Sequence, residues 1–371
     1  MLQIAPHRYQ SASGSLQQIG ETLGSLGERA LVIGNKTALD RFEDVIRKSL
    51  KDSMIGVSVD VCLGRCCLPE IERLVDEVEE ESADIIIGVG AGNTLDVSKY
   101  VAQRSGTALV TVPTVASSCA AFTNIVYLSN EDGEFIKEER LEVCPDLVIV
   151  DYKIVGRAES PYLIAGMGTA LASWYEVNLS RGELTENQPW QIAYQLADHM
   201  CEKLLDRGEQ AIEDVRKGEI TSSVEAVIEM NIMQTGLIRT LGGIAFQALL
   251  SHHLAHSLYV YTGEDVLFGD VVAYGVLVQE DLRGASANSY SELVEFFKSV
   301  DLPLTLDSLS LPENQREKIL TDASESVLNR LKQYPVDLKA TPEQLVESMW
   351  NIDEIGKSVI QSGVQKITDS E

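Results

Sequence analysis

The stretch from Asp84 to Lys99, D-I-I-I-G-V-G-A-G-N-T-L-D-V-S-K, constrains this chain more than any other. Ile85 to Ile87 form a short apolar run of the kind that makes a strand buried on both faces, and Gly88, Gly90 and Gly92 open it into a helix-period segment. Asn93 stands where an N-cap belongs, Asp96 three residues on suits the positive end of a helix dipole, and Leu95, Val101 and Ala102 can face a sheet. Glycines without Cβ atoms let a diphosphate approach the backbone, where the N–H groups of the first helical turn point at it. A tight connection with no ligand fits the same residues, so the loop has to be read in its context.

That context is an alternation of strand and helix. Leu16, Ile19, Leu23 and Leu26 recur at helical spacing, Arg29 to Gly34 is a short buried strand, and Thr37 to Lys51 reads as a helix. Val57, Val59 and Val61 alternate as a strand, Pro69 to Glu79 reads as a helix, and the opening strand follows. Thr107 to Pro113 and Leu147 to Asp151 continue the pattern, which predicts a parallel sheet covered on both faces with its ligand at the carboxyl ends of the strands.

From about Ser160 the strand signals stop. Segments 162–179, 190–205, 211–217, 220–240, 246–261, 271–282, 290–300, 313–331 and 342–362 read as helices, and residues 368–371 as a frayed end. The fold expected is an α/β parallel-sheet domain over 1–158 joined to an all-α domain over 159–371, with a substrate cleft between the halves.

Composition narrows the partners. Fifty-seven Asp and Glu against 30 Lys and Arg give a net charge of −27, a surface that repels nucleic-acid backbones and anionic membranes. No apolar run approaches roughly eighteen residues, and the N-terminus is mixed rather than a charged-then-apolar leader, so a soluble cytoplasmic protein is expected. The cysteines at 62, 66, 67, 119, 144 and 201 show no CxxC pair and no disulfide spacing. Small buried groups or reduced thiols are expected, although Cys62, Cys66 and Cys67 lie close enough to consider as metal ligands.

The motifs G-V-G-A-G-N-T-L-D-V-S-K (88–99), V-P-T-V-A-S-S-C-A-A-F-T (112–123), P-D-L-V-I-V-D (145–151), A-G-M-G-T-A-L-A-S-W-Y-E (165–176), S-H-H-L-A-H (251–256) and F-G-D-V-V-A-Y-G (268–275) stand in this order. The arrangement resembles the iron-containing alcohol dehydrogenase and glycerol dehydrogenase superfamily, which includes dehydroquinate synthase-like enzymes. The glycerol dehydrogenase branch is nearest. Cys119, where glycerol dehydrogenases carry an aspartate, is similar to a hydroxycarboxylate dehydrogenase subgroup.

The resemblance implies that Gly88, Gly90, Ala91, Gly92, Asn93, Thr94 and Asp96 serve the diphosphate of NAD or NADP, and that Thr114 and Ser117 contact the cofactor. Asn35, followed by Lys36, replaces the aspartate by which relatives repel a 2′-phosphate, so both dinucleotides stay open. The family also implies one zinc or iron held by an aspartate and two histidines, and these positions carry Thr169, His253 and Phe268. A phenyl has no lone pair to give and a neutral hydroxyl is a poor ligand, so no tight metal is expected there. A rebuilt site from His253 and His256, read as an i, i+3 pair on one face, with Asp265 or Asp270 is the alternative. Those histidines also read as hydrogen-bonded groups lining an inherited cleft. If catalysis persists, His253 or His256 has the pKa for proton transfer, and Cys119 is the third candidate, as a thiol or as a small apolar lining.

Three functions follow. The first is an NAD(P)-dependent oxidoreductase, a homo-oligomer, that interconverts a small alcohol, polyol or 2-hydroxy acid with its carbonyl form without the usual metal. The second is a cyclase or lyase on the same fold. The third is a dinucleotide-binding pseudoenzyme.

Overall fold

Alternating side chains in the strands decide the architecture. The computed structural model describes residues 4–142, 144–179, 188–243, 249–284, 291–334, 336 and 338–368, without the side chains of 363–368. These separate into two compact units, Met1–Glu159 with Asp214–Thr240, and Ser160–Glu213 with Leu241–Glu371.

In the first unit, strands β1 (Arg8–Ser11), β2 (Arg29–Gly34), β3 (Gly56–Val61), β4 (Ile85–Gly90), β5 (Ala108–Pro113) and β8 (Leu147–Val150) form one parallel sheet in the order β1-β8-β5-β4-β2-β3. Every residue of β4 is buried, because the sheet is covered on both sides. Ala30, Val32, Ile85, Ile87, Val110 and Val112 pack with α1 (Ile19–Leu23) and α2 (Lys36–Asp52). Leu31, Ile33, Ile86 and Leu109 turn the other way, toward α3 (Leu68–Glu80) and α4 (Gly92–Ser105). From β2 the chain lays β3 to one side, then crosses back to β4 and continues outward through β5. The reversal lies between β2 and β4, whose register pairs Gly34 with Val89. It puts the Gly34 and Gly90 ends at the crevice where an open parallel sheet receives ligands.

The parallel sheet and the mostly helical C-terminal part agree with the sequence reading, and several features depart from it. Strand β1 is not among the expected strands, yet it closes the sheet edge beside β8. A hairpin of β6 (Ile125–Ser129) and β7 (Phe135–Arg140) was not expected. Its turn is built by Asn130, whose side-chain oxygen accepts from the N–H groups of Asp132 and Glu134. The segment 214–240, expected in the helical half, packs with the sheet unit: Tyr9 and Tyr152 donate to Glu229 at 2.9 and 2.7 Å, and Asn231 donates to the Ala116 carbonyl at 2.9 Å. This segment carries α8 (Ser222–Glu229), a π-helical turn (Met230–Gln234) and α9 (Thr235–Gly242) in place of one continuous helix.

The second unit is helical among its described residues. It contains α6 (Ser160–Val177), which follows the single turn α5 (Tyr152–Val155) of the first unit, and most of α7 (Gln188–Arg216), a single helix where two were expected. Helices α10 (Leu250–Leu258), α11 (Phe268–Leu282), α12 (Ser291–Val300), α13 (Arg316–Leu331) and α14 (Pro342–Thr368) complete it. Helices α6, α10 and α11 pack on one another, and α10 also packs on α13. Gly168 allows the approach of α6 to α11, since a Cβ there would lie 2.5 Å from the Gly269 carbonyl oxygen. Residues 246–248, Tyr290 and 369–371, which the sequence reading assigned to helices or a frayed end, lie outside the described residues. No helix among the described residues is long and apolar enough to cross a membrane.

Asp96 is not at the surface of the dipole end, as its position after the glycines suggested. It is buried and pairs with the buried Lys99 at 2.8 Å, while accepting from the Tyr127 N–H of the hairpin at 3.0 Å. Lys99 also donates to the Ile125 carbonyl. Burial pushes the Asp96 carboxyl up against the pull of Lys99. Removing one partner of such a pair leaves a buried charge, so Lys99→Ala is expected to cost about 3–5 kcal/mol in urea unfolding, and the apolar double variant Asp96→Leu/Lys99→Met much less.

Candidate active site

The crevice at the carboxyl ends of β2 and β4 is shaped by three close approaches. A Cβ on Gly34 would lie 2.8 Å from Leu39, on Gly88 2.5 Å from Ser98 Oγ, and on Gly90 3.0 Å from Thr94 Cβ. Those three glycines serve packing. Gly92 is different: the nearest atom to its missing Cβ is Ser118 Oγ at 4.0 Å, so the start of α4 faces open space. Helix α4 begins at Gly92, with Ala91 as its extended N-cap and no side-chain cap. Asn93, expected as the cap, lies inside the first turn, exposed, and donates to the Gly64 carbonyl at 3.0 Å. Among the described residues no side chain caps this first turn, which leaves its N–H groups for an anion. Thr94 is buried against Gly90, and Asp96 is committed to Lys99.

The neighbouring loop after β5 is fixed from two sides. Thr114 donates its N–H to the Gly90 carbonyl at 3.0 Å, and Asn231 holds the Ala116 carbonyl. Thr114 and Ser117 are half-buried. Cys119, a catalytic candidate from sequence, is a buried thiol pushed up by desolvation, which disfavours the thiolate a reaction would use. All six cysteines are buried, and none forms a disulfide among the described residues. Asn35, expected near the cofactor ribose, caps α2 by accepting from Ala38 N–H at 2.8 Å, and the exposed Lys36 pairs with Asp40.

In the second unit the histidines are set by α10. The sequence reading placed His253 and His256 together on one face. Instead the His252 and His256 rings flank Phe268, with centroids 6.4 and 4.8 Å away, as residues one helical turn apart do. The His253 ring turns toward Tyr334, 5.4 Å away. His253 is 5 % exposed, and neither of its ring nitrogens has a hydrogen-bond partner among the described residues. Burial pulls its pKa down to about 4, with Arg330 adding to the effect and Glu176 opposing it.

Glu176 is the residue sequence reasoning missed. Its buried carboxylate accepts from Leu249 N–H, Ser251 Oγ, His252 N–H and His252 Nδ1. Burial alone would raise this carboxyl, but the charge of His252 and the hydrogen bonds outweigh it and hold the group below its usual range. Nothing in the spacing of residues 176 and 252 signals the contact; only the packing of α6 on α10 does.

The positions at which the resemblance implies a metal do not offer a ligand set. The Thr169 hydroxyl donates to the Gly166 carbonyl at 2.9 Å, and Phe268 presents a ring. Asp270, considered for a rebuilt site, accepts from Leu267 N–H at the start of α11, and burial raises its carboxyl to about 6. Among the described residues no three His, Cys, Asp or Glu side chains converge as a metal ion requires, Cys62, Cys66 and Cys67 included.

The family description of iron-containing alcohol dehydrogenases matches residues 6–152. The chain is similar to a glycolaldehyde reductase of Halobacterium salinarum, 31 % identical over 363 residues covering 96 % of this chain and 98 % of the relative. It is similar to a glycerol dehydrogenase of Pseudomonas putida, 30 % identical with the same coverage. The crystal structure of a probable glycerol dehydrogenase from Sinorhizobium meliloti superposes with a TM-score of 0.84 at 26 % identity, over 95 % of this chain and 98 % of that one. Likeness at this level along nearly the whole length of both chains settles the kinship: this chain is an oxidoreductase that belongs to the iron-containing alcohol dehydrogenase family.

Proposed function

We propose that this chain uses NAD or NADP to interconvert a small alcohol, polyol or 2-hydroxy acid with its carbonyl form, with no divalent metal at the family's usual position. The observation that carries the reading is the open start of α4 at Gly92 in a chain of this family. The N–H groups of the first turn would hold the diphosphate, and Thr114 and Ser117 would border the cofactor. When bound, the nicotinamide supplies or accepts the hydride.

The metal-free part of the reading is supported by Thr169 and Phe268, which leave His253 alone among the implied ligands. A neutral imidazole can donate from one nitrogen and accept at the other. His253 has both nitrogens to give, so it would hold the substrate oxygen and carry the proton that leaves or joins it. Arg330, half-buried at the end of α13, acts electrostatically on His253 and would supply positive charge as an alkoxide develops. The names of the relatives point to glycerol and glycolaldehyde as the first substrates to try.

The deciding experiment follows absorbance at the nicotinamide band with NADH and NADPH, across small aldehydes, ketones and 2-oxo acids and the corresponding alcohols, before and after exhaustive chelation. Turnover that survives chelation is expected; turnover lost to chelation and restored by zinc would overturn the metal-free reading. Dinucleotide binding with no turnover would make the chain a cofactor-binding protein. Gly92→Ala, whose Cβ would come no closer than 4.0 Å to Ser118 Oγ, should leave folding intact and weaken dinucleotide binding about tenfold or more.

The neutral state of His253 has its own signature. Its pKa is about 4 in the folded chain and 6.5 as a free side chain, so between those values the unfolded chain binds the extra proton and stability is lost as pH falls. The loss amounts to about 3 kcal/mol from pH 6.5 to 4. Asp270, raised to about 6, acts with the opposite sign over part of this window, but it is common to wild type and variant. Urea unfolding of wild type and His253→Leu at pH 7 and pH 4.5 should show the difference moving in favour of the variant at the lower pH.

A further inference from the structure

Helix α10 starts without a cap of its own, at a place where water does not reach. Its N-cap is Leu249, which has no side-chain acceptor, and Leu249, Leu250, Ser251 and His252 are all buried. First-turn N–H groups in that setting must find an acceptor elsewhere in the protein. Glu176 is that acceptor. Its Oε1 takes Leu249 N–H at 3.1 Å, Ser251 Oγ at 2.6 Å and His252 N–H at 3.1 Å, and its Oε2 takes His252 Nδ1 at 2.8 Å.

The carboxylate sits at an unfavourable place on its own helix. Glu176 is in the last turn of α6, where the dipole disfavours negative charge, and it is 3 % exposed. The positive end of α10 and His252 offset that cost. One carboxylate thereby fixes both the start of α10 and its rotation, because the backbone and the ring of the same residue are held at once. His253 follows immediately, and its direction toward Tyr334 is set by the anchor on its neighbour.

We propose that Glu176 is a positioning residue for His253: through His252 and the first turn of α10 it aims an imidazole whose nitrogens are reserved for the substrate. The kinetic arm of the test rests on the oxidoreductase reading above; the structural arm does not.

Glu176→Gln isolates the device, since a glutamine oxygen can still take Leu249 N–H, Ser251 Oγ and His252 N–H, while its NH₂ cannot accept from His252 Nδ1. Glu176→Asp keeps the charge and retracts it by one methylene. On the full chain, kcat in Glu176→Gln should fall about tenfold or more, with substrate KM and the NADH dissociation constant within about twofold, and Glu176→Asp should recover part of the loss. Histidine ring-carbon labelling supplies the second readout: the His253 resonance should move or split in Glu176→Gln, with those of His7 and His199 unchanged. An unmoved His253 resonance, or an unchanged kcat in a wild type that turns over, would overturn the proposal and leave Glu176 a matter of stability alone. Should Glu176→Gln not fold, Glu176→Asp decides by the same two readouts. A wild type without activity would sink the oxidoreductase reading, and the resonance of His253 would still decide this one.

Discussion

A carboxylate shut away from water has to be met by donors, and two such groups determine how the parts of each unit are tied together. Asp96 is met by Lys99 and by the N–H of Tyr127, which fastens the β6–β7 hairpin to α4. Glu176 is met by four donors at the start of α10, which fastens the histidine helix to α6. Neither arrangement is a cheap source of stability, because desolvating the charge offsets much of the attraction. What they provide is geometry. An apolar contact between two helices tolerates sliding by a fraction of a turn, whereas a carboxylate shared among several directed hydrogen bonds does not.

The parallel sheet was legible because its constraint is local and repeated. Runs such as A-L-V-I-G at 30–34 and I-I-I-G-V-G at 85–90 can be satisfied only by burial on both faces, and the helix-period segments between them supply the cover. The hairpin was missed although N-E-D-G at 130–133 is a turn signal, since its second strand, F-I-K-E-E-R at 135–140, is mostly charged and shows no strand pattern. Strand β1, R-Y-Q-S, has almost no apolar pattern; it is a strand because the edge of β8 accepts it in register from Arg8–Leu147 to Ser11–Val150.

The candidate site divides along the same line. Glycines in G-V-G-A-G announced a close approach, and the structure separates those that serve packing from Gly92, which leaves the approach open. Asn35, Asn93 and Asp96 looked like ligand groups by position, but Asn35 caps α2, Asn93 bonds the Gly64 carbonyl and Asp96 is buried. Short polar side chains near helix starts are drawn into backbone hydrogen bonds, and nothing in their spacing separates that use from ligand binding. Glu176, Asn231 and Tyr334 were invisible for the opposite reason. Their meaning lies entirely in contacts between residues far apart in sequence: 176 with 249–252, 231 with 116, and 334 with 253.

The chemistry of the second unit turns on Phe268. Its ring is flanked by His252, His256 and Tyr259, with centroid separations of 6.4, 4.8 and 5.6 Å. A phenyl gives this neighbourhood an apolar surface and has no lone pair, so it cannot serve as the ligand that the resemblance implies for position 268. His253, turned toward Tyr334 instead, is buried with no hydrogen-bond partner for its ring nitrogens among the described residues, and desolvation draws its pKa down to about 4. Directed hydrogen bonds stabilise developing charge only if the helix that carries them is held in place. On the metal-free reading proposed above, the reaction would depend on whatever orients α10, and Glu176 ties the first turn of that helix to α6.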